Sequence, residues 1–141
     1  MSRVAFLGLG VMGYPMAGHL ATQGYDVAVY NRSPEKAEAW LGQHKGRAYP
    51  TPREACEGAQ LVFTCVGNDD DLRSVVLGPD GALAGMSAGA ILVDHTTTSA
   101  EVARELFALG QEGGVDMLDA PVSGGEAGAV NAALTIMVGG E

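Results

Sequence analysis

The stretch VAFLGLGVMGYPMAGHL, residues 4–20, sets Gly8, Gly10 and Gly13 between an apolar run and a helical repeat. A G-x-G-x-x-G pattern by itself is weak, because glycine is common and the pattern is short. Its setting decides the reading. Residues 4–9 are continuously apolar, as in a strand covered on both faces of a parallel sheet. Met12, Met16 and Leu20 follow at four-residue steps, which predicts a helix with one apolar face, ended by Gly24. The glycines therefore fall where a strand exits and a helix begins. In that place Gly8 permits a tight turn, Gly10 lets a pyrophosphate approach the backbone, and Gly13 brings helix close to strand. The helix N-terminus adds N–H donors and roughly half a positive charge. Residues Gly8, Leu9, Gly10, Val11, Met12 and Gly13 are read as a loop that holds phosphate.

The rest of the chain repeats the alternation. Apolar runs at 25–30, 61–66, 90–95, 115–120 and 134–138 read as strands that complete one sheet, with a further short strand near 47–49. Helix starts are marked between them. Ser33-Pro34 offers a cap followed by proline at the first helical position, and Ala37, Trp40 and Leu41 supply an apolar face. TPRE (51–54) and TSAE (98–101) read as capping boxes. Asn68 precedes Asp69, Asp70 and Asp71 in a first turn whose dipole favours negative charge. Val102, Leu106 and Leu109 continue at helical spacing to Gly110. The pattern predicts a doubly wound α/β sheet, mostly parallel, of the Rossmann type.

Composition narrows the partners. With 8 Lys and Arg against 17 Asp and Glu, the formal net charge is −9. No basic run appears, which disfavours nucleic acid and anionic membrane as partners. No apolar run approaches the ~20 residues that span a bilayer, and no signal-peptide pattern is present, so a cytoplasmic protein is expected. Cys56 and Cys65 fit no C-x-x-C or zinc spacing and read as buried, reduced thiols. No metal site is expected.

Three further places lie at carboxyl ends of strands, where such sheets bind ligands. The second strand ends VYNRS, with Asn31 and Arg32 where an acidic residue would mark NAD. Asn31 can bond a ribose without repelling phosphate, and Arg32 presents a planar fork suited to a 2′-phosphate. NADP(H) is therefore expected in preference to NAD(H). Val66 and Gly67 would pass under the cofactor, and Thr96 and Thr97 would touch the nicotinamide ribose or its ring. In DAPVSGGEAGA (119–129), Ser123 with Gly124 and Gly125 reads either as a helix cap or as a site for a small carboxylate. Of the histidines, His19 and His44 read as structural, and only His95, beside Asp94, sits near a strand end that bears on a site.

The motifs FLGLGVMGYPMAGHL, NRS, DHTTTSAEVA and LDAPVSGGEAGAVNAALTIMVGG resemble the β-hydroxyacid dehydrogenase family, which includes 3-hydroxyisobutyrate dehydrogenases and tartronate, glyoxylate and succinic semialdehyde reductases. The likeness runs from residue 3 to the end, with His19 standing where the family usually has asparagine. It implies that residues 1–141 are a cofactor domain of a longer two-domain, homo-oligomeric enzyme. It also implies that Ser123, Gly124 and Gly125 bind the substrate carboxylate, and that a hydride passes between nicotinamide and the hydroxyl-bearing carbon. The family's general acid/base is a lysine on a following helix. Lys36 and Lys45 do not match its place, so it is expected beyond Glu141 and no catalytic residue is expected in this chain. Two other readings stand beside this one: a non-catalytic NADP(H)-binding module, and a 6-phosphogluconate dehydrogenase relative, which DHTTT and DAPVSGG fit less well.

Overall fold

The structure, a computed structural model, describes residues 3–96, 99–119, 122–123 and 135–136. Its elements are β1 (Arg3–Leu7), α1 (Gly13–Thr22), β2 (Asp26–Tyr30), α2 (Pro34–Gln43), β3 (Arg47–Ala48), α3 (Pro52–Cys56) and β4 (Leu61–Thr64). They continue with α4 (Asp69–Val76), α5 (Ala82–Gly85), β5 (Ile91–Asp94), α6 (Ala100–Glu112), β6 (Asp116–Asp119), β7 (Val122–Ser123) and β8 (Thr135–Ile136). Six strands form one parallel sheet in the order β3-β2-β1-β4-β5-β6. The order reverses between β1 and β4, which leaves a crevice at their carboxyl ends where such sheets take ligands.

Alternation along β1 explains why both faces are covered. Val4 and Phe6 pack with Val27, Val29, Ala17, Ala37 and Trp40 under α1 and α2. Ala5 and Leu7 point the other way and join Val62, Leu72, Val76, Leu92, Val102 and Leu106 under α3, α4 and α6. Each face is apolar, so strands that carry both faces read as unbroken hydrophobic runs.

Four expectations are corrected. Of the run at 134–138 expected to close the main sheet, the described residues Thr135 and Ile136 instead pair antiparallel with Ser123 and Val122 in a separate two-stranded ribbon. The sixth place in the sheet belongs to the short β3. On α1 the buried face is Gly13, Ala17 and Gly18, while Met16 and Leu20 are only partly buried at its flanks. Gly13 leaves room for the Gly8 carbonyl, and Gly18 for the His44 ring, which would lie 2.6 Å from a Cβ there. Leu41 and Leu109 are exposed, outside the faces assigned to them. Finally, α6 is capped by Ser99, whose hydroxyl accepts from Val102 N–H at 3.2 Å, and it runs through Gly110 to Glu112. A Cβ at Gly110 would stand 3.0 Å from both Met117 Sδ and the Val115 carbonyl, so this glycine serves packing rather than termination.

The other caps follow the sequence. Thr51 Oγ1 accepts from Glu54 N–H at 3.2 Å and Asn68 Oδ1 from Asp71 N–H at 2.8 Å. Ser33 stands at the N-cap of α2 without a side-chain cap bond, and Pro34 begins that helix. Among the described residues, no helix is long and apolar enough to cross a membrane.

Candidate functional site

The glycine turn and the segment after β4 enclose a cavity of about 340 Å³. Gly8, Gly10, Val11, Met12 and Gly13 form one wall, Tyr30, Asn31 and Arg32 a second, and Cys65, Val66, Gly67, Asp71, Ser74 and Val75 the third. The first wall is held by the sheet. Gly8 N–H donates to the Tyr30 carbonyl at 2.9 Å, and Cys65 N–H to the Leu7 carbonyl at 3.0 Å.

The three glycines answer to different demands. Gly8 has φ +103°, and a Cβ there would lie 2.2 Å from the Cys65 carbonyl oxygen. A Cβ at Gly13 would lie 2.0 Å from the Gly8 carbonyl oxygen. Both positions are closed to any side chain by the protein itself. Gly10 is the opposite case: it is exposed, and nothing stands within 4 Å of where its Cβ would be. None of the described residues needs that space, whereas a phosphate resting on the backbone would. The first turn of α1 carries no acidic side chain that would compete for its N–H groups. The residues present therefore fit a dinucleotide pyrophosphate.

Asn31 braces this turn. Its Oδ1 accepts from Leu9 N–H at 2.8 Å, and its Nδ2 donates to the Ser33 carbonyl at 3.1 Å. One Nδ2 hydrogen and a lone pair of Oδ1 remain for a ligand. Arg32 stands at the cavity mouth, 81% exposed, with Nη1 3.2 Å from Asp71 Oδ1. No carboxylate occupies positions 31 or 32.

Two expected cofactor contacts lie behind this cavity rather than on its wall. Leu9 is buried in the core and offers the turn its main-chain N–H, which Asn31 takes. Thr96 is buried as well, and its Oγ1 accepts from Val66 N–H at 3.0 Å. It belongs to a network that sequence reasoning missed. Asp94 Oδ1 accepts from Thr64 Oγ1 at 2.8 Å and from Thr96 N–H at 2.9 Å, so one buried carboxylate ties the ends of β4 and β5. Thr97, Gly124 and Gly125 lie outside the described residues; Ser123 contributes backbone to β7.

The remaining titratable groups have structural surroundings. His95 is buried and stacks on Phe63, with ring centroids 5.8 Å apart. His44 lies against Trp40 and Tyr14, and burial followed by the charge of His19 lowers its pKa. Burial pushes the Cys56 thiol up to about 12. Burial, helped by Asp94, pushes the Cys65 thiol up to about 11. Cys65 lines the cavity as a neutral, apolar surface. Among the described residues, no group of three His, Cys, Asp or Glu could hold a metal ion.

Comparison with known proteins agrees with this geometry. The profile of a family described as the NAD binding domain of 6-phosphogluconate dehydrogenase matches residues 3–141. An uncharacterized oxidoreductase of Shewanella frigidimarina is 62% identical over 141 residues, which are the whole chain and 48% of that protein. The solved 3-hydroxyisobutyrate dehydrogenase of Mycobacterium tuberculosis with L-serine superposes with a TM-score of 0.92 at 36% identity, covering 100% of this chain and 47% of that one. The structure of Psf3 in complex with NADP+ and 2-OPP superposes at 0.90 with 32% identity, covering 98% and 49%. The chain thus spans about half the length of the relatives it matches.

Proposed function

Since the chain belongs to the family of NAD binding domains found in 6-phosphogluconate dehydrogenase, we propose that it is the cofactor-binding part of an NADP(H)-preferring oxidoreductase acting on a small β-hydroxy acid or the matching aldehyde acid. The observation that carries this reading is Gly10, open to solvent in a turn otherwise closed by protein, with Arg32 at the mouth of the same cavity. Main-chain N–H groups of residues 10–13 hold the pyrophosphate, and Asn31 both braces the turn and meets the ribose. Arg32 takes the 2′-phosphate through its planar donor fork. When bound, the nicotinamide supplies or accepts the hydride.

Ser123, Gly124 and Gly125 hold the substrate carboxylate in this reading. The proton is handled by a lysine on a following helix, as the family resemblance implies. General acid/base help of that kind is worth ~10²–10⁴ in rate. The reading is supported by relatives that are named oxidoreductases and by a neighbour solved with NADP+.

Titration with NADPH and NADH tests it. NADPH is expected to bind about tenfold more tightly or better, in line with a charge-assisted contact worth ~1.5–3 kcal/mol. Arg32→Asp should abolish that preference. Equal affinities in the unaltered chain would overturn the NADP assignment, and binding of neither dinucleotide would overturn the whole reading.

A further inference from the structure

We propose that Asp71 sets how strongly the site distinguishes the two dinucleotides, by holding Arg32 against the arrival of a 2′-phosphate. The inference rests on the reading of Arg32 given above. Both residues line the cavity, and Arg32 Nη1 meets Asp71 Oδ1 at 3.2 Å across it, between the end of β2 and the first turn of α4.

The partners are held very differently. Arg32 is 81% exposed and touches the carboxylate through one nitrogen, which leaves its long side chain free to turn elsewhere. Asp71 is only 28% exposed. Its main-chain N–H is taken by the Asn68 cap at 2.8 Å, and the N-terminus of α4 favours its negative charge. Its Oδ2 lies over Gly67, 3.0 Å from where a Cβ would stand, so the absence of a side chain at 67 gives it room. Asp69 accepts from Ser99 N–H at 3.1 Å and Asp70 pairs with Arg73 at 3.3 Å, which leaves Asp71 as the acidic residue on the cavity wall.

This asymmetry gives the two ligands different consequences. A ribose with a free 2′-hydroxyl leaves the Arg32–Asp71 pair standing. A 2′-phosphate, carrying close to two negative charges, needs the guanidinium and has to draw it away from a carboxylate that stays in place. Asp71 therefore opposes NADP(H) while leaving NAD(H) nearly untouched.

Binding of NADPH and NADH is measured by calorimetry in the unaltered chain, Asp71→Asn, Asp71→Glu, Arg32→Gln and the Asp71→Asn/Arg32→Gln double variant. Asp71→Asn should tighten NADPH about two- to fivefold, the range of an exposed ion pair, and change NADH less than this. The gain should shrink between 50 and about 500 mM salt, vanish in the Arg32→Gln background, and be absent in Asp71→Glu. If Arg32→Gln weakens NADPH but Asp71→Asn leaves it unchanged or weakens it, the inference about Asp71 fails alone. Equal tightening of both dinucleotides also overturns it, as a general charge effect. If Arg32→Gln alters neither dinucleotide, the reading of Arg32 fails and takes this inference with it.

Discussion

At the scale of single residues, the glycine turn separates what the fold requires from what a ligand requires. Gly13→Ala pushes a Cβ to 2.0 Å from the Gly8 carbonyl, a clash with backbone that cannot swing aside. We expect it to cost about 1–3 kcal/mol of stability, read as a lowered denaturation midpoint. Gly10→Ala meets open space and should unfold like the parent, yet weaken dinucleotide binding about tenfold by displacing the phosphate from the backbone. A Gly10→Ala chain with unchanged binding would mean that no ligand rests there. These roles are legible in sequence because they follow from local geometry at a strand exit. The Arg32–Asp71 contact is not legible: its partners are 39 positions apart, and three consecutive aspartates look alike on paper. Only the folded chain gives Asp69, Asp70 and Asp71 three different partners.

At the scale of elements, strands β1, β2, β4, β5 and β6 could be read from apolar runs, because burial on both faces leaves little room for polar side chains. Pairing could not. The run at 134–138 is as apolar as the others, but apolarity states that a segment is buried and not which edge it joins. Helical spacing likewise gave the existence of α2 and α6 while misplacing Leu41 and Leu109, since the face turned inward depends on what lies beneath. The Asp94 network was missed because a buried acid among apolar residues has no signature of its own. It yields a test. Asp94→Ala leaves the Thr64 hydroxyl and Thr96 N–H without their acceptor in a buried place. Each orphaned group costs about 1–3 kcal/mol. Loss of stability should be accompanied by weaker dinucleotide binding, because Thr96 positions the Val66 amide. A variant as stable as the parent would remove the network from the account.

At the scale of the whole molecule, the two thiols tie stability to alkaline pH. Folding raises Cys56 to about 12 and Cys65 to about 11 from an ordinary 9.0, so above pH 9 the unfolded chain releases protons that the folded chain keeps. Stability is fully present below pH 9 and should fall progressively as pH climbs through 9 toward 11 and 12. Urea unfolding at pH 8 and pH 10 checks this, with Cys56→Ala/Cys65→Ala as the comparison. The double variant should lose less between the two values; an equal loss would assign the effect to other groups. An asparagine fastens the amide of Leu9, and the Tyr30 carbonyl fastens that of Gly8, within the folded chain itself. A cradle already set in shape has little disorder left to surrender when a guest arrives. Its capture of a nucleotide should then be governed by encounter and charge rather than by slow reshaping, with amide exchange in residues 8–9 nearly as slow before loading as after.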